Sequence, residues 1–294
     1  MNHRSPTALT LVMAAILLTV TAIWMTVVSS PVTAQSNPAP AADTLRTGRN
    51  FIETPVYSED DDAKTVKLFD GLRVSDVADG MDKVGLASVG VMSPEIHSSW
   101  KDTIHYKHRF AGIAVTARYV PTNKPPAPPM ETAAFDKWVG ETYGKVTPEP
   151  FVPLIRKGTA VVIDDAPDSD VGTVGSNNIL GWKLRGCVGV VTNVGGRDTD
   201  EVATEQMPLY LRHVARGIRP GRNEIESVNR PIECGGVLVR PGDVIVADGD
   251  GVVVVPREKA QEVAEYARAT LEGDKKGRQG LYEKLKMPAD DSVR

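Results

Sequence analysis

The sequence predicts a single α/β domain of about 220 residues. Three observations carry that prediction. Two short continuous apolar runs, Thr159 to Ile163 and Cys187 to Val191, suit strands buried on both faces. Val237 to Val239, Val244 to Ala247 and Val252 to Val255 are separated by turn-forming residues, as in hairpins. Apolar residues at helical spacing recur at both ends, through Leu68, Leu72, Val77 and Met81 and again through Val263, Tyr266, Ala267 and Leu271.

In chain order, residues 1–34 read as an export signal. His3 and Arg4 precede an uncharged apolar run over 8–28, and Val32-Thr33-Ala34 supplies the small-x-small pattern of a cleavage site. An uncleaved membrane anchor is the alternative, because the run approaches the length of a bilayer span. Both readings place the folded part outside the cytoplasm. Residues 35–65, rich in Pro, Ala and acidic side chains, read as a linker, and the domain is expected over 66–294. Ser75 is a candidate N-cap and Gly85 a helix stop. His97, His105 and His108 follow; His105 and His108 are three apart, but no third ligand stands at a metal-binding spacing, so all are expected as solvated loop residues.

Residues 111–120 alternate like a strand, five prolines over 121–129 impose a loop, and 133–143 has weak helical spacing. After the 159–163 strand comes the stretch over 171–200. It holds a small polar loop (Gly172, Thr173, Gly175, Ser176, Asn177, Asn178), a helix over 179–185, the second apolar strand, and then Gly195-Gly196-Arg197-Asp198. A buried strand that ends on two glycines and presents Arg beside Asp places a cation and an anion where α/β folds bind ligands. The N–H groups at the start of the helix are suited to the same anion. The expected partner is therefore a small anionic substrate. Beyond it, a short helix over 199–206, an edge or entering strand over 207–210, a polar loop over 218–229 and a final helix from Pro256 complete the chain.

Composition narrows the function. A net charge of −4 with no large Lys/Arg cluster gives no reason to expect nucleic-acid binding. No G-x-S-x-G elbow, P-loop or dinucleotide fingerprint is present, and no histidine stands out as a base for Ser176. Asp248-Gly249-Asp250-Gly251 lacks the further ligands of a calcium loop and reads as a hairpin turn. Cys187 and Cys234 permit one disulfide without requiring it.

The segments VSDVADGMDKVG, AGIAVTARYV, GSNNILGWKLRGCVGVVTNVGGRD and GGVLVRPGDVIVADGDGVVVVPREKA together resemble the RraA-like family. That family includes the class II 4-hydroxy-4-methyl-2-oxoglutarate aldolases and the regulator of ribonuclease activity A. The resemblance spans about residues 68–267. It implies a layered α/β sandwich with mixed central sheets and flanking helices, assembled as a homotrimer or a pair of trimers. In the aldolase branch it implies a divalent metal, Mg²⁺ or Mn²⁺, held by Asp198, with Arg197 on the substrate oxygens. The backbone N–H groups of Gly175, Ser176, Asn177 and Asn178 would receive the carboxylate. The aldolase pattern has an Asp, twenty intervening residues and then Arg-Asp, and Ser176 stands at the Asp position in this chain. A neutral hydroxyl cannot replace a carboxylate as charged partner or base. Two functions follow as expectations. One is an exported metal-dependent lyase that cleaves or decarboxylates a small 2-oxo acid. The other is a non-catalytic binding or regulatory protein, although an exported chain would not meet a cytoplasmic ribonuclease.

Overall fold

The computed structural model describes Arg46 and residues 48–166, 170–290 and 292–294. The expected export signal and the first part of the expected linker lie outside the described residues. Among the described residues no helix is long and apolar enough to cross a membrane. The chain divides into units 1–51 and 52–294, and the second contains the elements that follow.

In chain order they are helices α1 (Glu59–Leu68) and α2 (Val74–Lys83), strands β1 (His97–Ser98) and β2 (Phe110–Pro121), helix α3 (Thr132–Lys145), strands β3 (Thr159–Asp164) and β4 (Gly172–Val174), and helix α4 (Ser176–Leu184). Strands β5 (Cys187–Thr192) and β6 (Gly195–Gly196), helix α5 (Thr199–Thr204), and strands β7 (Leu209–Leu211), β8 (His213–Val214) and β9 (Asn223–Val228) come next. The chain ends with β10 (Ile232–Cys234), β11 (Val237–Val239), β12 (Val244–Asp248), β13 (Gly251–Val255) and α6 (Ala260–Leu285).

One mixed sheet runs in the order β1-β7-β5-β3-β2-β12-β13, with β9 pairing the far end of β2. Strands β2, β3, β5 and β7 are mutually parallel, so each crossover must carry a helix, and α3, α4 and α5 fill that role. All six residues of β3 are buried, as an apolar strand in the middle of such a sheet must be. The sheet curls toward closure. Val91 bridges Val253 on β13, and six residues later His97–Ser98 pair with β7 at the opposite edge. The enclosed face holds Phe110, Ala114, Val162 and Tyr210 and is plugged by the β10–β11 hairpin through Ile232 and Val237. The outer face is covered in two places: α2 and α6 lie over β12 and β13, while α4 brings Ile179 and Trp182 against Val161 and Ile163. The architecture is α/β with a nearly closed mixed sheet flanked by helices, as the expected class required.

Several local expectations change. Helix α1 begins within the expected linker, because Asp62 is an anchor. Its buried carboxylate pairs with Arg156 at 2.5 Å and with Arg257 at 2.8 Å. Ser58 caps that helix by accepting from the Asp61 N–H at 3.1 Å. Helix α2 starts before Ser75. Arg73 is its N-cap, and the Val74 N–H donates to the buried Asp248 carboxylate at 2.9 Å. That bond gives the Asp248–Gly251 hairpin turn a structural role. The 218–229 stretch is not a loop throughout, since β9 occupies its second half. Strands β11 and β12 flank the Pro241-Gly242-Asp243 turn but belong to different sheets. His108 is buried, not solvated: its Nδ1 accepts from the Asp102 N–H at 3.1 Å, and burial lowers its pKa. Helix α4 begins at Ser176, three residues earlier than its apolar pattern indicates. Both cysteines are free and buried; burial pushes the Cys187 thiol up to about 11 and raises the Cys234 thiol well above its ordinary value.

Removing the Asp62 carboxylate strands Arg257, whose side chain is 8% exposed. Asp62→Ala is therefore expected to cost about 3 kcal/mol in urea unfolding, within the range for breaking a buried ion pair. A loss below about 1 kcal/mol, the value of a surface pair, would show that α1 is not anchored this way.

Candidate functional site

Strands β4, β6 and β8 form a separate parallel ribbon, and the candidate residues lie at its carboxyl end. The ribbon's partner residues are Gly172, Gly195 and His213 in one row. Beyond Gly196 the chain is fixed by the Arg197 N–H, which donates to the Val174 carbonyl at 2.9 Å. Asp198 then adopts a left-handed conformation, φ 57° and ψ 40°, at the N-cap position of α5. Few side chains other than Asn and Asp accept that geometry.

The turn carries the Asp198 carboxylate back to the start of α4. Gly175, the N-cap of α4, has no side chain to cap it. Asp198 Oδ2 does so instead, accepting from the Ser176 N–H at 3.2 Å and from the Ser176 hydroxyl at 3.5 Å. Arg197 Nε lies 3.6 Å from the same oxygen. Two glycines make the approach possible. A Cβ on Gly172 would stand 2.9 Å from the Arg197 side-chain carbons, and one on Gly175 would stand 2.6 Å from Asp198 Oδ2. The structure thus brings Gly175, Ser176, Arg197 and Asp198 together. Ser176 is buried, whereas the Arg197 and Asp198 side chains are each 35% exposed and accessible to a ligand.

Asn177 and Asn178 behave differently. Asn177 is exposed on the first turn of α4. The Asn178 side chain turns away and donates to Glu149 Oε1 at 2.6 Å. Trp182 Nε1 donates to the other Glu149 oxygen at 3.1 Å, and Arg219 Nη2 to Oε1 at 2.6 Å. The Arg219 guanidinium is buried and also donates to the Tyr119 hydroxyl at 2.7 Å. Burial raises the pKa of that hydroxyl, so it remains protonated. This network fixes the first turn of α4, and sequence reading missed it. Arg219 stood in an expected polar loop, and Glu149 lies between two prolines with no spacing signal.

A cavity of about 400 Å³ lies nearby at the ends of β3 and β5, lined by Arg118, Asp164, Asp165, Asn193, Arg212 and Glu233 among others. Burial raises the pKa of Asp164, countered by the Asn193 amide at 2.8 Å and by Arg118. Asp165 is tied to Thr173 and Asn223 at 2.5 and 2.6 Å, which links the main sheet to β4.

Among the described residues no three His, Cys, Asp or Glu side chains converge to hold a metal. A closed zinc-type cage does not fit this donor set. Mg²⁺ or Mn²⁺ fits better, because Mg²⁺ is commonly held by one or two carboxylates with water and substrate oxygens completing its shell. At Asp198, the contacts described above all fall on Oδ2.

A family profile described as RraA-like, Aldolase/RraA, matches residues 74–254. A curated relative from Halalkalibacterium halodurans, named a putative 4-hydroxy-4-methyl-2-oxoglutarate aldolase, is 33% identical over 111 residues, covering 37% of this chain and 51% of that one. The chain thus spans about half the length of that relative. Two solved structures share the fold. An uncharacterized protein from Pseudomonas syringae has a TM-score of 0.60 at 23% identity, covering 82% of this chain and all of that one. Streptomyces coelicolor RraAS2, described as an unusual member of the RNase ES inhibitor RraA family, has a TM-score of 0.58 at 21% identity, covering 77% and 98%.

The glycine geometry gives a paired test. Gly175→Ala is expected to destabilise the protein by about 1–3 kcal/mol, because the new methyl must displace the Asp198 carboxylate. Gly181→Ala, on the open side of the same helix with nothing within 4 Å, should instead stabilise by about 0.5–1 kcal/mol. Equal thermal unfolding shifts in the two variants would contradict the close approach.

Proposed function

The chain belongs to the RraA-like family, and from that premise we propose that it is a metal-dependent lyase acting on a small 2-oxo acid. The observation that supports this most strongly is the meeting of the α4 N-terminus, Arg197 and Asp198 at one half-exposed position. In that reading the substrate carboxylate is received by the N–H groups of Asn177 and Asn178, which have no acceptor within their own helix. The Arg197 guanidinium faces the adjacent keto oxygen.

Such a site suits two related reactions. In aldol cleavage the substrate hydroxyl loses its proton, the neighbouring C–C bond breaks, and its electron pair becomes a pyruvate enolate. In decarboxylation of oxaloacetate, carbon dioxide leaves and the same enolate remains. Both place negative charge on the keto oxygen, where a fixed cation in a partly desolvated site is most effective. Bound Mg²⁺ or Mn²⁺ supplies Lewis-acid stabilisation of that oxygen, and Asp198 is the carboxylate that would hold it.

Leu180 and Leu184 stand four apart on α4 and are 47% and 90% exposed, a pairing suited to a subunit contact in a homotrimer or hexamer. The apolar segment over 8–28 supports an extracytoplasmic location, with membrane attachment only if it is uncleaved. A second reading, a binding or regulatory protein without turnover, is favoured by one feature. Ser176 offers a hydroxyl where the aldolase pattern has a carboxylate.

Pyruvate release from oxaloacetate and from 4-hydroxy-4-methyl-2-oxoglutarate, with Mg²⁺ or Mn²⁺ added, separates the two. The lyase reading expects metal-dependent turnover that falls by roughly 100- to 1,000-fold in Arg197→Ala, the scale of losing one transition-state charge partner. Absence of turnover in the wild-type chain would decide for the second reading, whereas full activity in Arg197→Ala would overturn the role given to Arg197.

A further inference from the structure

The proposed aldol cleavage needs a group to take the hydroxyl proton, and neither Ser176 nor the capping carboxylate of Asp198 is suited to do so. The β4-β6-β8 ribbon supplies a candidate. Gly172, Gly195 and His213 are in-register partners on three parallel strands, about 4.8 Å apart from strand to strand, so their side-chain positions share a face. Arg197 follows Gly195 by two residues and projects to that face as well.

The two glycines put no side chain of their own between Arg197 and His213, and the Ala215 methyl stands over Gly195. The Arg197 stem lies over Gly172, with three of its carbons each 2.9 Å from where a Cβ would be. The His213 imidazole leans over Gly195, its Nε2 3.2 Å from the corresponding point, beside Ala215 Cβ at 2.3 Å. No side chain on Gly172 or Gly195 separates the ring from the Arg197 stem. His213 is half-buried.

From this placement we infer that His213 is the proton-transfer residue of the site, in the role that a carboxylate at Ser176 would otherwise fill. The inference rests on the lyase reading. The neutral imidazole takes the proton of the substrate hydroxyl as the C–C bond breaks, and one carbonyl product leaves. The imidazolium then returns that proton to the methylene carbon of the enolate, giving pyruvate and restoring the neutral ring. No oxidant, reductant or further reactant is consumed. Decarboxylation of oxaloacetate has no hydroxyl proton to remove, so it depends on His213 only for the final protonation.

Two measurements test this on the full chain. The first uses histidine-labelled protein with Mg²⁺ and oxalate, a stable mimic of the enolate. Oxalate is expected to shift the imidazole signals of one of the five histidines, and His213→Asn should remove that signal. Binding of oxalate by calorimetry with the His213 signal unmoved would overturn the assignment. The second compares activities. His213→Asn is expected to lower aldol cleavage by roughly 100-fold and decarboxylation by less than about 10-fold, since general acid–base help is worth about that much where a proton must move. Equal losses in the two reactions would overturn it too. If the wild-type chain turns over neither substrate, the lyase reading fails by itself, and the oxalate shift alone decides whether His213 faces the site.

Discussion

The start of helix α4 has N–H groups to satisfy and no side chain of its own to satisfy them, because its N-cap is Gly175. The Asp198 carboxylate meets part of that need from a different segment. Much of the local structure follows from this contact. Asp198 must turn back through a left-handed conformation, Arg197 must lie flat along the ribbon, and positions 172 and 175 must be glycine. An anionic group at a helix N-terminus is electrostatically favoured. A charged pair held there at a ribbon end is suited to binding another anion beside it.

The surrounding core makes that arrangement rigid. The parallel strands β3 and β5 are buried on both faces and set where β4 and β6 emerge. The Glu149–Arg219 pair ties Asn178 and Trp182 to the β2 side through Tyr119, so α4 is held at both its first turn and its buried face. A buried ion pair of this kind adds little net stability over a hydrophobic replacement, yet leaves an expensive orphan charge if either partner is lost. Its role here is best understood as fixing where the helix begins, which determines where its free N–H groups point.

The parts legible in the sequence were those governed by local pattern. The apolar runs at 159–163 and 187–191 became buried strands, and the Asp248–Gly251 turn closed a hairpin. What stayed hidden depends on tertiary partners. Asp62 sits in an acidic stretch that resembles a linker until Arg156 and Arg257 are brought to it. Arg219 appears solvated until Glu149 and Tyr119 enclose it. Asn178 stands in the first turn of α4, but its side chain is committed to Glu149. His213 carries no motif at all. Its position over Gly195 comes from strand register, which no spacing within the sequence encodes.

The central claim is that the α4 N-terminus and Arg197 together make the anion site. A crystal structure with Mn²⁺ and oxalate tests it most directly. The predicted result is oxalate seated on the first-turn N–H groups of α4 within hydrogen-bond reach of Arg197, with the ion on Asp198. Oxalate bound instead between Arg118 and Arg212, in the cavity at the ends of β3 and β5, would contradict it.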